Sequence, residues 1–287
     1  MVWGSRRDVH AGLAHRRAAR ARQHAEHADA CADKQEILAA MAGTDAQLHL
    51  RLADSYRRSA RYHLSSARLQ QAYADRMSAW GGDETSRPRF MTGVAEACGT
   101  SSAALTLMGA DHGQLSVASS DEPSRSAQDL EFVLGEGPAH DAAASGCLIS
   151  AAGRVIASRW PAYGPALISL GVHEVLTAPL RTEGTCIGAL AVFDPGDGPA
   201  ATGALKVIAD ALTRTVLLGP DADPELYDDA DHRDCVQQAA GILSVQAGCR
   251  VQDALAMIKA RAFADGQPPD AIAERIVRGT LKLAQGR

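Results

Sequence analysis

An alanine repeat in the N-terminal third constrains the fold of this chain more than any other feature of the sequence. Alanine recurs at every seventh position without a slip, at Ala11, Ala18, Ala25, Ala32, Ala39, Ala46, Ala53, Ala60, Ala67 and Ala74. A sustained seven-residue repeat is typical of the contact seam of a left-handed coiled coil. Residues 5–80 also contain no proline and are rich in strong helix formers. We therefore predict a helical, coiled-coil region over residues 1–80.

Two arrangements of this region are compatible with the repeat. One is a single helix of roughly 110 Å, at about 1.5 Å per residue, that pairs with a second chain. The other is a helical hairpin that turns at Gly43-Thr44-Asp45, where glycine and aspartate are common turn residues. Because the repeat keeps its phase across Gly43, it favours the long helix and therefore a homodimer.

Composition excludes several classes of protein. The chain has 287 residues, 46% of them apolar and 22% charged, as in ordinary globular proteins. No apolar stretch approaches the ~20 residues of a membrane span, and no apolar core of a signal peptide follows the first residues. We therefore expect a cytoplasmic protein with no membrane association. The six cysteines lie far apart, which argues against a disulfide framework or a structural zinc site.

Charge is distributed unevenly and suggests a multidomain chain. The net charge of -5 rules out a uniformly basic nucleic-acid binder. Residues 1–80 carry a net charge of +5, residues 81–224 carry -9 and residues 225–287 carry -1. Glycine- and proline-containing stretches separate these blocks. The sequence thus predicts three domains, at residues 1–80, 86–218 and 228–287.

The middle block has the pattern of an α+β domain with one antiparallel sheet and flanking helices. Period-two and apolar runs predict strands at residues 103–108, 114–119, 146–150, 174–181 and 186–193. Amphipathic runs predict helices at residues 90–98, 126–132, 161–170 and 203–218. We expect a partly apolar pocket beneath the crossover segment that contains Trp160 and Tyr163.

Five short motifs in this block resemble those of the GAF domains of actinobacterial regulators over about residues 88–218. They are Leu134-Gly135-Glu136-Gly137-Pro138, Trp160-Pro161-Ala162-Tyr163, Gly171-Val172, Ala178-Pro179-Leu180 and Gly188-Ala189-Leu190. The resemblance implies a small-molecule or redox sensor that is often dimeric and seldom an enzyme. We take Glu136, His140, Trp160 and Tyr163 as candidate ligand-binding residues. The ligand and any cofactor are unknown.

Other chemistry in this block is less favoured. Cys98, Cys147 and Cys186 are similar in kind to the thiols of GAF-type methionine sulfoxide reductases, but their predicted positions suit small buried residues. Histidines such as His112 or His173 would serve a haem-binding sensor, although a solvated histidine is the simpler interpretation. We therefore expect no enzymatic activity, no catalytic residue and no metal site.

The C-terminal block predicts an all-α bundle of three short helices, at residues 229–246, 252–263 and 271–283. The runs Val236-Gln237-Gln238-Ala239-Ala240-Gly241-Ile242-Leu243 and Ala271-Ile272-Ala273-Glu274-Arg275-Ile276-Val277, with Asp253-Ala254-Leu255 between them, resemble the ANTAR domain. ANTAR modules bind paired RNA hairpins as dimers and prevent transcription termination. The resemblance implies RNA contacts from Gln238, Gly241, Arg275 and Arg278.

Departures from the ANTAR pattern leave the RNA-binding prediction open. Ala240 stands where the family has a lysine, and Asp228-Asp229-Ala230-Asp231 is acidic. Because lysine and arginine supply most of the affinity for phosphates, either departure weakens RNA binding. The leading hypothesis is a cytoplasmic GAF–ANTAR regulator that binds tandem RNA hairpins. The alternatives are a sensor or scaffold whose bundle docks a protein partner, and a GAF-type thiol reductase.

Overall fold

The computed structural model describes residues 2–41, 43, 45–83, 87–109, 113–182, 184–196, 198–217 and 231–283. The helices are α1 (Val2–Met41), α2 (Ala46–Ala79), α3 (Phe90–Ala97), α4 (Glu122–Leu134), α5 (Pro138–Ser145), α6 (Arg154–Arg159), α7 (Tyr163–Ser169), α8 (Gly198–Ala211), α9 (Asp234–Ala247), α10 (Val251–Asp265) and α11 (Pro269–Val277). The strands are β1 (Ser102–Met108), β2 (Gln114–Ser119), β3 (Ile149–Ala152), β4 (Glu174–Arg181), β5 (Cys186–Phe193) and β6 (Asp231–His232).

The chain divides into two compact units, each built from two stretches of sequence. The first unit is Met1–Gly99 with Gly196–Leu226, and the second is Thr100–Pro195 with Tyr227–Arg287. Within the described residues no helix is both long enough and apolar enough to cross a membrane.

In the first unit, α1 and α2 form an antiparallel hairpin. The Nδ1 atom of His49 lies 2.7 Å from Oε1 of Gln35 near the turn, and Arg22 Nη2 donates to Oε1 of Gln71 at 2.8 Å near the other end. The preferred prediction of one long helix is therefore wrong, and the hairpin alternative is confirmed. The unbroken repeat did not distinguish the two arrangements. In the hairpin, too, the alanines of both arms lie on the faces that meet, and the repeat continues across the turn.

The alanine repeat lies in the contact between the two arms. Nine of its ten members are buried, namely Ala11, Ala18, Ala25, Ala32, Ala39, Ala53, Ala60, Ala67 and Ala74. Methyl groups on both arms allow the two backbones to approach closely. The contacts of the alanine repeat are thus made within one chain, so the repeat no longer indicates pairing between two chains.

Helices α3 and α8 pack with α2 in this first unit. The ring of Phe90 on α3 meets the ring of Tyr73 on α2 edge to face, with 5.8 Å between centroids. A short π-helical segment, Leu212–Leu217, follows α8. It places the guanidinium of Arg214 5.4 Å from the centroid of the Tyr62 ring.

The second unit is built on a mostly regular antiparallel sheet with the strand order β3-β4-β5-β1-β2-β6. The four strands of the two predicted hairpins are present as the pairs β1–β2 and β4–β5, whereas the strand predicted at residues 146–150 begins three residues later, as β3. The sixth strand was not predicted. It is a two-residue edge strand in which Asp231 and His232 pair with Val117 and Ser116 of β2, and it leads directly into α9.

Helices α4 to α7 supply the second layer against the sheet. The core between them contains Tyr163, Leu167, Val175 and Phe193. The predicted helix over residues 161–170 corresponds to α7, Tyr163–Ser169, whereas the short helix α6 that precedes it was not predicted. Helix α5 was missed, since its sequence is mostly alanine and has no apolar stripe.

The C-terminal bundle, α9 to α11, has the predicted three helices. Its core includes Val236, Leu243, Ile258 and Ile276. Gly248 and Gly266 end α9 and α10 in the left-handed conformation, as expected for glycine at a helix C-terminus. Helix α11 ends at Val277, several residues before the predicted end at Leu283.

Candidate functional site

Two polar side chains on α4 point into the core of the second unit. Asp121 caps the helix by accepting a hydrogen bond from the Ser124 amide at 3.0 Å, and Gly135 ends it in the left-handed conformation. Between these ends, Gln128 and Glu131 lie three residues apart and therefore share a helix face. Both are completely buried.

These two side chains belong to an interior polar chain of four residues, Thr106, Gln128, Glu131 and His140. The Thr106 hydroxyl donates to Oε1 of Gln128 at 2.5 Å, and Gln128 Nε2 donates to Oε2 of Glu131 at 3.5 Å. The other Glu131 oxygen accepts the His140 amide at 2.8 Å and lies 3.1 Å from Nδ1 of the His140 ring. The buried Glu131 carboxylate is thus held by Gln128 of its own helix, which Thr106 links to the sheet, and by His140 of α5.

Two buried hydroxyl groups in the same core have no hydrogen-bond partner among the described residues, those of Tyr163 and Thr177. Thr177 lies two residues from Val175 on β4, so both side chains point to the core that contains Tyr163. Burial, together with the nearby Glu131 carboxylate, raises the pKa of Tyr163 well above its ordinary value. Its hydroxyl therefore stays protonated and able to donate. Buried polar groups are nearly always paired, so these hydroxyls are suited to bind a water molecule or a small polar ligand.

The glycine-rich loop after α4 passes close to this carboxylate. A Cβ atom at Gly137 would lie 2.5 Å from the carboxyl carbon of Glu131. At Gly135, by contrast, a Cβ atom would meet no atom within 4 Å. The two glycines of this loop therefore have different roles. Gly135 ends α4, whereas Gly137 allows the backbone to pass close to Glu131.

The four predicted ligand-binding residues have different surroundings. His140 belongs to the interior polar chain. Glu136 is a helix cap, because its Oε1 accepts the amides of Ala162 and Tyr163 at 2.6 and 2.8 Å. Trp160 and Tyr163 are core residues whose rings meet edge to face at 6.1 Å.

Gln128 and Glu131, at the centre of the interior polar chain, were not among the predicted site residues. A usable signal was present, because these two polar residues lie on the same helix face as Ala127 and Ser124 rather than on the solvent side. Polar residues three apart on a face that is otherwise small or apolar indicate a buried polar interaction.

The thiols of the middle block differ in exposure. Burial raises the pKa of Cys98 to about 12, so this thiol is not a thiolate at neutral pH. Cys147 is exposed, and the Cys186 thiol donates to the carbonyl of Gly188 at 3.1 Å. Among the described residues, no three His, Cys, Asp or Glu side chains are placed to hold a metal ion.

A second cluster, the buried ion network, lies on the face of α4 that meets the C-terminal bundle. Its members are Arg125 and Asp129 of α4, Arg233 before α9, and Asp270 of α11. Arg233 donates to Asp129 at 2.6 Å and to Asp270 at 3.1 Å. Arg125 donates to Asp270 at 2.8 Å and lies 3.3 Å from Asp129. Two arginines and two aspartates therefore join α4 to the start of α9 and to the start of α11.

Phe132 of α4 lies under two cations of the bundle segment. The Arg233 guanidinium is 4.5 Å from the centroid of its ring, and the Lys259 ammonium is 4.1 Å from it. Burial, with the nearby Arg233 charge, lowers the pKa of Lys259 to about 8. Arg233 is completely buried, so its guanidinium is not available to RNA phosphates.

The predicted RNA-contact residues lie on the described surface of the bundle. Gln238 is exposed, and a Cβ atom at Gly241 would meet nothing within 4 Å, so packing does not require glycine there. Arg275 donates to Gln267 at 3.4 Å, and Arg278 pairs with Glu274 at 2.8 Å.

Ala240 is completely buried in the bundle core. It therefore does not mark a missing cation on the bundle surface. The acidic run at residues 228–230 lies outside the described residues, as does His112.

Comparison with known proteins identifies one family in this chain. The family model of the GAF domain matches residues 88–216. No curated protein and no solved structure matches the chain. The match covers the five-stranded antiparallel sheet, the helices against it and the interior polar chain. Residues 88–216 are therefore a GAF domain, with further helices on both sides of it in the sequence.

Proposed function

We propose that this protein is a small-molecule-responsive regulator in which the GAF domain controls an RNA-binding C-terminal bundle that prevents transcription termination. The buried ion network is the observation that carries this proposal. It ties α4 of the GAF domain to Arg233 and Asp270, which precede α9 and begin α11. A sensor helix and an output bundle thus share buried charges that neither can leave unpaired at low cost.

Helix α4 is suited to transmit a signal because its two faces serve different partners. Gln128 and Glu131 face the GAF interior, whereas Asp129 and Phe132 face the bundle. A small polar ligand that engages Tyr163 and Glu131 would favour one position of α4. The ion network would carry that preference to the bundle.

RNA is the proposed target because of the resemblance to ANTAR modules and because the four contact residues lie at the bundle surface. Affinity for RNA depends on cations that neutralise phosphates. Arg275 has a neutral partner, Gln267, and is thus the cation most available to a phosphate among the four contact residues. Arg278 would first have to leave Glu274.

A protein partner is the second candidate for the bundle, and a specific feature favours it. Val245 is 84% exposed and Val251 is 48% exposed, near the end of α9 and at the start of α10. These two valines would supply apolar surface to a protein partner. Exposed arginines of the bundle are also paired with nearby carboxylates, as in Arg250–Asp253 and Arg261–Asp265.

The RNA proposal is tested by RNA capture with the full chain, followed by sequencing and binding measurements across a range of salt concentrations. Arg275→Ala should lower the log–log salt slope by about 0.7–0.9, which corresponds to one phosphate contact. Arg154→Ala, an exposed arginine of the GAF domain, should leave the slope unchanged. Absence of binding at low salt rejects RNA as the target. In that case, pull-downs with the full chain test the second candidate. It predicts a protein that the wild type retains and the Val245→Asp variant loses.

The sensing step is tested by thermal-shift screening of the full chain against nucleobases, amino acids and cyclic nucleotides. A ligand of the GAF interior should lose affinity on Tyr163→Phe, because this change removes a hydroxyl that has no hydrogen-bond partner among the described residues. The matched variant Tyr56→Phe on α2 should bind as the wild type does. Equal binding by both variants would place the ligand elsewhere.

A further inference from the structure

We propose a second small-molecule site outside the GAF interior: an open cleft between α4 and the α10–α11 turn that binds a neutral, largely apolar molecule of one or two rings. The cleft has a volume of about 350 Å³, within the range of roughly 300–1,000 Å³ typical of ligand pockets. This volume is too large to be a packing defect and suits a small ring system.

The walls of the cleft are mainly apolar and come from two parts of the second unit. Leu130 and Val133 of α4 form one side, and Phe263 with Pro268 forms the other. Leu170, at the end of α7, completes the lining. Phe263 is 61% exposed, so the described residues leave more than half of this aromatic residue uncovered. A ligand stacked there would remove apolar surface from water.

Backbone hydrogen bonds and prolines hold the turn that follows Phe263. Gly266 ends α10 with a φ of 59°, and the Gln267 amide donates to the carbonyl of Ala262 at 3.0 Å. Two prolines follow, Pro268 and Pro269, and they fix the entry into α11. The cleft is therefore largely formed before a ligand binds, which lowers the entropic cost of binding.

Charge selects a neutral ligand. Asp129 is the charged residue of the lining, and its carboxylate contacts both Arg233 and Arg125. A cationic ligand would have to compete with two arginines, whereas an anionic ligand would meet a carboxylate. Ser126 and Gln267 supply neutral polar groups at the lining, so one hydroxyl or amide on the ligand can be accommodated.

Occupation of this cleft would stabilise the contact between α4 and the bundle. The ligand would touch α4 and the α10–α11 turn together, and it would lose one wall if the bundle moved away from α4. Such a ligand binds best to the docked arrangement and raises its population. This effect is independent of whether the bundle acts on RNA.

The test uses three naphthalene probes with the full chain: neutral 2-naphthol, anionic 2-naphthoate and cationic 2-naphthylmethylammonium. We expect 2-naphthol to bind at least tenfold more tightly than either charged probe in ligand-observed NMR titrations. Amide chemical-shift changes should map to residues 126–133 and 262–269. Equal binding of the charged probes, or shift changes confined to other residues, overturns the proposal.

Two pairs of variants locate the site. Phe263→Ala removes one wall and Leu170→Trp fills the cleft, so each should weaken 2-naphthol binding at least tenfold. Val245→Ala and Val155→Trp are the controls: one truncates and the other enlarges an exposed side chain outside the cleft. Both should leave 2-naphthol binding within twofold of wild type. Because all four positions are exposed, the variants should fold, and circular dichroism verifies this. Binding unchanged by both cleft variants rejects the site.

Discussion

Nη2 of Arg233 lies 2.6 Å from Oδ1 of Asp129, and this hydrogen bond joins residues 104 positions apart in the chain. The guanidinium is completely buried, lies over the Phe132 ring and also donates to Asp270. Two partly buried carboxylates and one aromatic ring thus compensate for the loss of its hydration. This arrangement makes the entry to α9 part of the interface with α4.

Loss of the Arg233 side-chain charge should separate the bundle from α4. Arg233→Met removes the completely buried member of the ion network, but Arg125 still pairs with the partly exposed Asp129 and Asp270, so the cost should be smaller than for a buried charge left without a partner. We expect a loss of about 1–3 kcal/mol in the free energy of unfolding in urea, with faster amide exchange over residues 234–277. Arg250→Met removes an exposed arginine paired with Asp253 and should not change stability measurably. Equal effects of the two variants would contradict the structural role of the network.

The two glycines after α4 should respond differently to alanine. At Gly135 the new methyl group meets no neighbour, so Gly135→Ala should cost only the left-handed backbone strain, about 1–2 kcal/mol. At Gly137 the methyl group would overlap the Glu131 carboxyl, so Gly137→Ala should cost at least ~2 kcal/mol more and should perturb the His140 ring resonances. Denaturant melts with NMR spectra of the histidines measure both effects. A smaller loss for Gly137→Ala than for Gly135→Ala would disprove the close approach to Glu131.

The alanine seam should tolerate no larger side chain. Ala25 is completely buried between α1 and α2, whereas Ala40 on the same helix is exposed. Ala25→Leu should therefore force the arms apart and cost about 1–3 kcal/mol or more. Ala40→Leu should change stability by no more than about 0.5 kcal/mol. Thermal melts followed by circular dichroism compare the pair, and equal melting temperatures would show that the seam is not close-packed.

Lys259 should give stability a distinct dependence on pH. Its pKa is about 8 in the folded protein, against an ordinary value of 10.5. Between these values the unfolded chain holds a proton that the folded chain has lost, so the free energy of unfolding increases as the pH rises. Lys259→Met keeps an apolar side chain over Phe132 but should lack this increase between pH 8 and 10. Lys206→Met, at an exposed position of α8, should keep the wild-type slope. A common slope for all three proteins in urea titrations would contradict the lowered pKa.

Local patterns predicted most of the elements. The strands of the two hairpins, Gln114–Ser119 and Glu174–Arg181 among them, have the predicted bounds because apolar runs and turn residues determine them locally. The glycines at 248 and 266 likewise predicted the ends of α9 and α10. Errors arose where no periodic signal exists, as for alanine-rich α5 and for the two-residue strand β6.

The candidate site could be predicted only in part. The loop motif led to Glu136, a helix cap, whereas the neighbouring buried carboxylate is Glu131. Glu136 is flanked by Gly135 and Gly137 in the sequence, whereas Glu131 approaches Gly137 only in the folded chain, so only the packing of α4 on the sheet shows that Glu131 is the buried one. The burial of Arg233 was likewise not predictable, since an arginine carries no local signal that distinguishes a buried ion pair from a solvated one.

The sequence by itself determined the helical N-terminal region, the antiparallel GAF sheet and the three-helix bundle, because each follows from short-range periodicity, turn residues and motifs. The tertiary structure alone decided that the alanine seam closes within one chain, that α3 and α8 pack with α2, and that the bundle is tied to α4 by buried charges. These outcomes depend on contacts between residues far apart in the sequence. Their free energies come from burial and charge pairing in three dimensions, which a one-dimensional pattern does not specify.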